Sequence, residues 1–185
     1  MPRRTEPWKP TREQLDAARS KTVPDVIARG LNVLFVGINP GLYSGAVGHH
    51  FARPGNRFRK TLHGAGFTDR VLSPFDEHEL LNEGAGITNI VSRTTAVASE
   101  LDDAELLAGA RTLETKVKRY RPRVVAFLGV GAYRTGFGRP RATVGAQRET
   151  IGATRVWVLP NPSGLNANYQ LPELIGWFRK LRRSL

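Results

Sequence analysis

Val33-Leu-Phe-Val36 runs without a break into Gly37-Ile-Asn-Pro-Gly41. A short apolar run followed by a turn reads as a strand buried on both faces, with a loop closing its carboxyl end. Two more runs have this character, Val124-Val-Ala-Phe-Leu128 and Val156-Trp-Val-Leu159. Gly86-Ile-Thr-Asn-Ile-Val91 is a weaker fourth. Helical signals fall between them. Asn56 is placed to cap a helix carrying Phe58 and Leu62, with Gly64 and Gly66 as stop signals. Ser73-Pro74 opens another, to about Asn82. The spacing predicts the longest helix from Ser99 to about Tyr120, with Ser99 and Asp102 as a capping box. Its acidic first turn and basic last turn suit the helix dipole. A final helix is expected from about Pro172 to Arg183. Strands alternating with helices predict an α/β fold with a mainly parallel central sheet.

The ends of the chain and its bulk composition bound the rest. Residues 1–10 are polar and Pro-rich and read as a loose arm. Thr11-Arg-Glu-Gln14 has the capping-box pattern for a short helix to about Ser20. Residues 1–22 are therefore read as arm and helix, and residues 23–185 as a single domain. Lys and Arg number 28 against 16 Asp and Glu, a formal charge of +12. That balance favours a polyanionic partner, nucleic acid ahead of an anionic membrane. Cysteine is absent, which removes disulfides, thiolate nucleophiles, iron–sulfur clusters and Cys-ligated zinc. The four histidines lack paired metal-ligand spacing, so no metal or other cofactor is expected. No apolar run reaches membrane-spanning length and no signal peptide is evident, so the expected setting is cytoplasmic.

In open α/β sheets, ligands bind beyond the carboxyl ends of the strands. Two loops there share an Asn-Pro pair, Gly37-Ile-Asn-Pro-Gly41 and Pro160-Asn-Pro-Ser-Gly164. Proline narrows the conformations of the residue before it, so Asn39 and Asn161 present carboxamides from fixed positions. One such loop is ordinary turn chemistry; two at matching strand ends point to a shared site. Gly129-Val-Gly131 after the middle strand lacks the rest of a dinucleotide or phosphate-loop motif and reads as close strand-to-helix packing. His49-His-Phe-Ala-Arg-Pro-Gly-Asn-Arg-Phe58 mixes aromatic and basic groups. There Phe51 can stack on a base, and Arg53 and Arg57 can meet phosphate.

In this order, these residues resemble the bacterial mismatch-specific uracil-DNA glycosylases, relatives of the thymine-DNA glycosylases. The resemblance rests on Gly37–Leu42, Phe51–Phe58, Ala65–Arg70, Gly86–Asn89, Arg123–Gly129 and Asn161–Leu165, and covers roughly residues 23–183. It implies a three-layer α/β/α sandwich with a pocket at the strand ends, in which Asn39 positions the attacking water and Phe51 stacks on the flipped base. Gly37, Ile38, Gly41 and Asn89 complete the pocket, and Ser44 faces the C5 edge of the base. It also implies that Asn161, Pro162, Ser163, Gly164, Leu165 and Asn166 form a wedge and contact the opposite base. The implied partner is double-stranded DNA with a mismatched or damaged base, bound by a monomer at the nucleoid. Arg59 and Ser92 stand where close relatives often carry Trp and Asp. On this reading Asn39→Asp supplies a base, and slower release by that variant counts against water positioning. A non-catalytic damaged-DNA or abasic-site binder on the same fold, and a nucleotide-binding α/β enzyme, are the competing readings.

Overall fold

A computed structural model describes residues 7–185; residues 1–6 of the expected arm lie outside them. The element order is α1 (Arg12–Asp16), β1 (Val33–Gly37), α2 (Leu42–Val47), α3 (Phe58–Ala65), β2 (Ala85–Asn89), α4 (Asp103–Tyr120), β3 (Val124–Leu128), α5 (Val130–Gly136), β4 (Gly145–Ile151), β5 (Thr154–Leu159) and α6 (Leu171–Arg183). A 3-10 helix, Pro74–Leu81, precedes β2. The five strands form one sheet in the order β2-β1-β3-β5-β4, parallel except for the edge pair of β4 with β5.

Side chains alternate across each strand, so neighbours go to opposite faces. Val33 and Phe35 join Phe58 and Leu62 of α3 and Phe178 and Leu181 of α6. Leu34 and Val36 join Leu113 and Val117 of α4 and Tyr133 of α5. Helices on both faces explain why β1, β2 and β3 are buried at every position. Gly64 lies inside α3 rather than ending it. A Cβ there would come within 2.4 Å of Ile175, so the glycine admits α6 to close contact. Gly66, at φ +84°, is the actual helix stop.

Several boundaries differ from the sequence expectation. The long helix starts at Asp103, with Asp102 and Glu105 forming the capping box, while Ala98–Glu100 is a separate 3-10 turn. Arg57 rather than Asn56 is the cap residue of α3, although the Asn56 Oδ1 accepts from Phe58 N–H. α1 ends at Asp16, because the chain turns at Ser20 (φ +61°) and docks on Thr94 through a backbone hydrogen bond. Within the expected loose arm of residues 1–10, Pro10 is buried, and Ala18, just after α1, is fully buried. Gly131 has open space where a Cβ would stand, so close packing does not explain it. Gly129 is the constrained one, at φ +124°.

Candidate functional site at the strand ends

The carboxyl ends of β1, β2, β3 and β5 open into one cavity of about 490 Å³. Gly37, Ile38, Asn39, Gly41, Ser44, Phe51, Arg53, Asn89, Asn161, Ser163 and Leu165 line it, so the structure brings most of the sequence-predicted residues together. Pro162, Gly164, Asn166 and Arg57 do not line it. His50, Thr95 and Val97 do, and they had no sequence signal of their own. No Asp or Glu lines the cavity among the described residues.

Asn39 is held by its amide nitrogen. Nδ2 donates to Thr95 Oγ1 at 2.7 Å, Arg93 O at 3.0 Å and, more weakly, Pro40 O at 3.3 Å. Carbonyls only accept, so the network fixes which end is nitrogen and leaves Oδ1 as an acceptor. Thr95 in turn donates to Val97 O at 2.8 Å. Arg93 is anchored to Glu105 at the start of α4 by Nε–Oε1 2.5 Å and Nη2–Oε2 2.9 Å. The hydrogen bond from Arg93 holds the Glu105 carboxyl down at about 2. This geometry changes the expectation for Asn39→Asp: a carboxylate there would face two carbonyl oxygens, so the variant slows whether or not Asn39 positions water.

Phe51 sits at φ +51°, a backbone region that aromatic residues rarely adopt. Its ring lies 4.4 Å from the Phe58 ring, so one side belongs to the core and another to the cavity. The turn is braced from behind. Arg59 Nη1 donates to His50 O at 2.9 Å and Phe51 O at 3.4 Å. The Glu77 carboxylate, fully buried, accepts from His50 N–H at 2.8 Å and His49 Nδ1 at 3.0 Å. Arg59 Nη2 lies 3.7 Å from Glu77. Burial brings the Arg59 guanidinium down to about 10, against the pull of Glu77. Burial pushes the Glu77 carboxyl up, but the hydrogen bond from the His49 ring, with His50 beside it, outweighs burial and holds the carboxyl below its ordinary value.

Gly37 is required where it stands. A Cβ would come within 2.4 Å of Asn89 Oδ1 and 3.1 Å of the Phe51 ring. Ser44, buried on α2, accepts from Ala52 N–H at 3.1 Å through its Oγ, tying α2 to the Phe51 turn. Asn89 Nδ2 meets His50 Nδ1 at 3.2 Å.

The second Asn-Pro loop is braced by Arg57. Its guanidinium donates to Ser163 O at 2.5 Å, Tyr169 O at 2.6 Å and Asn166 O at 2.9 Å. Arg57 thus clamps the loop through Nη1 and Nη2, while its Nε is buried without a hydrogen-bond partner. Asn166 adds to the bracing within the loop: its Nδ2 donates to Asn161 O and its Oδ1 accepts from Asn168 N–H. Gly164 passes so close to Gly55 that a Cβ would meet Gly55 O at 2.6 Å. Leu165 projects from this braced loop with 72 % of its surface exposed. Arg53 stands exposed at the rim with no hydrogen-bond or ion-pair partner in the described protein.

Fold and site together define an α/β domain with a ligand-sized cavity at the carboxyl ends of its strands, walled by carboxamides, an aromatic ring and glycine backbone. A sequence model of the uracil DNA glycosylase superfamily matches residues 24–182, and the chain belongs to that superfamily. Among solved structures it is similar to the solution NMR structure of a Methanosarcina acetivorans protein proposed as a uracil DNA glycosylase. That match has 19 % identity and a TM-score of 0.58, over 88 % of this chain and 98 % of that one. At that identity the likeness shows the fold.

Proposed function

We propose that this protein is a monofunctional DNA glycosylase that flips uracil from G:U mismatches and hydrolyses its bond to the sugar, initiating base excision repair. The observation that carries this reading is Asn39: a carboxamide fixed by three acceptors through Nδ2, in a cavity that no carboxylate among the described residues lines. In the reaction a water oxygen bonds to C1′ while the C1′–N1 bond breaks, and its electron pair leaves on the base. Asn39 Oδ1 accepts one hydrogen of that water and orients it, but cannot keep the proton, which passes to solvent. Without a general base the rate depends on how well the base leaves as an anion. Asn89 offers its carboxamide to the N3–H and O4 edge, and Phe51 offers a stacking face.

Leu165 is exposed, apolar and carried on a braced loop, the properties needed to fill the gap left by an extruded base. Unpairing costs least at a mismatch, which favours uracil opposite guanine. Arg53 and the charge of +12 supply phosphate contacts. The expected partner is mismatched duplex DNA at the nucleoid, bound by a monomer in the cytoplasm. The cavity's lack of a carboxylate also suits a non-catalytic damage binder. Incubation with end-labelled duplexes carrying uracil opposite guanine or adenine, followed by alkali, separates the two. Cleavage strongest opposite guanine is expected. Binding of the mismatched duplex without cleavage of either would favour the damage binder.

A further inference from the structure

His50 lines the cavity, only 2 % exposed, and its ring makes two polar contacts. Its Nε2 is 3.0 Å from Pro24 O, and its Nδ1 is 3.2 Å from Asn89 Nδ2. A carbonyl oxygen only accepts, so Nε2 carries the hydrogen. Burial holds the imidazole below its ordinary range, outweighing the opposing pull of Glu77 and Asp25, with Arg59 acting in the same direction as burial. The ring is therefore neutral near pH 7, and Nδ1 is a bare acceptor.

That state has a consequence for Asn89. A carboxamide can be turned end for end at almost no steric cost, and the two orientations present opposite patterns. With Nδ2 toward His50, Oδ1 lies over Gly37, which lines the cavity beside Asn89, and the second N–H is left for a ligand. Reversed, Oδ1 would meet the Nδ1 lone pair, two acceptors in a buried place. Uracil offers N3–H and the O4 acceptor, which match an acceptor beside a donor. Cytosine offers a bare N3 and a donor amino group, which match the reversed amide.

We propose that His50 is a specificity-positioning residue: its fixed tautomer locks the Asn89 carboxamide in the orientation that accepts uracil and refuses cytosine. The proposal rests on the glycosylase reading above. Pro24 O sets the tautomer, and the ring is held in place through its backbone, since the Glu77 carboxylate accepts from His50 N–H at 2.8 Å and Arg59 donates to its carbonyl. The facing groups are thus Glu77 on the 3-10 helix, Arg59 on α3, and Asp25 on the segment before β1, which is paired to Lys116 of α4.

The test uses duplexes with non-cleavable 2′-fluoro-2′-deoxyuridine or 2′-fluoro-2′-deoxycytidine opposite an abasic-site analogue, so that neither base is paired. Wild type is expected to prefer the uracil duplex. In His50→Gln, whose side chain can itself turn over, that preference falls by about 10-fold or more. His50→Phe, which removes the acceptor, loses it likewise, and thermal melting identifies any variant that does not fold. Single-turnover release of uracil opposite guanine is measured alongside. A folded His50→Gln with the wild-type preference would overturn the proposal, as would a wild type with no preference. A wild type that neither releases uracil nor favours the fluorouridine duplex over undamaged DNA would sink the glycosylase reading itself, and the proposal with it.

Discussion

Replacing Glu77 by Leu should destabilise the protein severely, and the reason lies in Arg59 rather than in Glu77 alone. Arg59 is 7 % exposed, with its Nε and Nη2 lacking hydrogen-bond partners. Even with Glu77 present, burial brings its guanidinium from 12.5 down to about 10. At about 1.4 kcal/mol per unit, keeping the charge inside costs roughly 3 kcal/mol. Without Glu77 that cost rises, and His50 N–H loses its acceptor. Breaking a buried pair from one side typically costs about 3–5 kcal/mol, and we expect that range for Glu77→Leu. With a urea dependence of about 2 kcal/mol per molar, the unfolding midpoint should drop by about 1.5–2.5 M. The double variant Arg59→Met with Glu77→Leu should be less destabilised than Glu77→Leu alone, because no charge is left buried. Equilibrium urea unfolding at pH 7.5 measures all three proteins. A Glu77→Leu midpoint close to wild type, or a double variant no more stable than the single one, would refute the reasoning.

Other expectations follow from the same contacts. Because Glu77 is held below its unfolded value, its stabilisation is complete above the unfolded carboxyl range and fades as pH falls through its folded value. The gap between wild type and Glu77→Gln in thermal melts should therefore narrow in acid; a gap that widens would contradict the assignment. Asn39→Ala should lower single-turnover uracil release by about 100-fold or more while leaving duplex binding nearly unchanged, as a loss of water positioning requires. Arg57→Ala removes three hydrogen bonds from a charged donor to the loop carrying Leu165. Mobility-shift titration should show weaker binding of the G:U duplex, and proteolysis near residues 163–169 should quicken; an unchanged cleavage pattern would argue against the clamp. Leu165→Ala should reduce the preference for the mismatched over the fully paired duplex, read in the same titrations, with little change in melting temperature.

The sequence alone determined the elements whose reasons are local. Apolar runs such as Val124–Leu128 can be buried on both faces only in a covered sheet, and turn chemistry closes each strand into an Asn-Pro loop. The two loops at matching strand ends, together with the family likeness, were enough to nominate about half of the cavity wall. Strand β4 was not legible, because Gly145–Ile151 is polar at alternate positions on a sheet edge and has no apolar run to betray it. The support of the site was equally hidden. Arg57 and Arg53 look alike as basic residues of one loop, yet folding points one at three carbonyls and leaves the other at the rim. Thr95 meets Asn39 across 56 residues, and Asn89 meets His50 across 39. Such contacts depend on which strands become neighbours, and hydrogen-bond partners distant along the chain leave no periodic signal. Sequence thus determined which chemical groups reach the ends of the strands, and tertiary structure decided which way each of them faces.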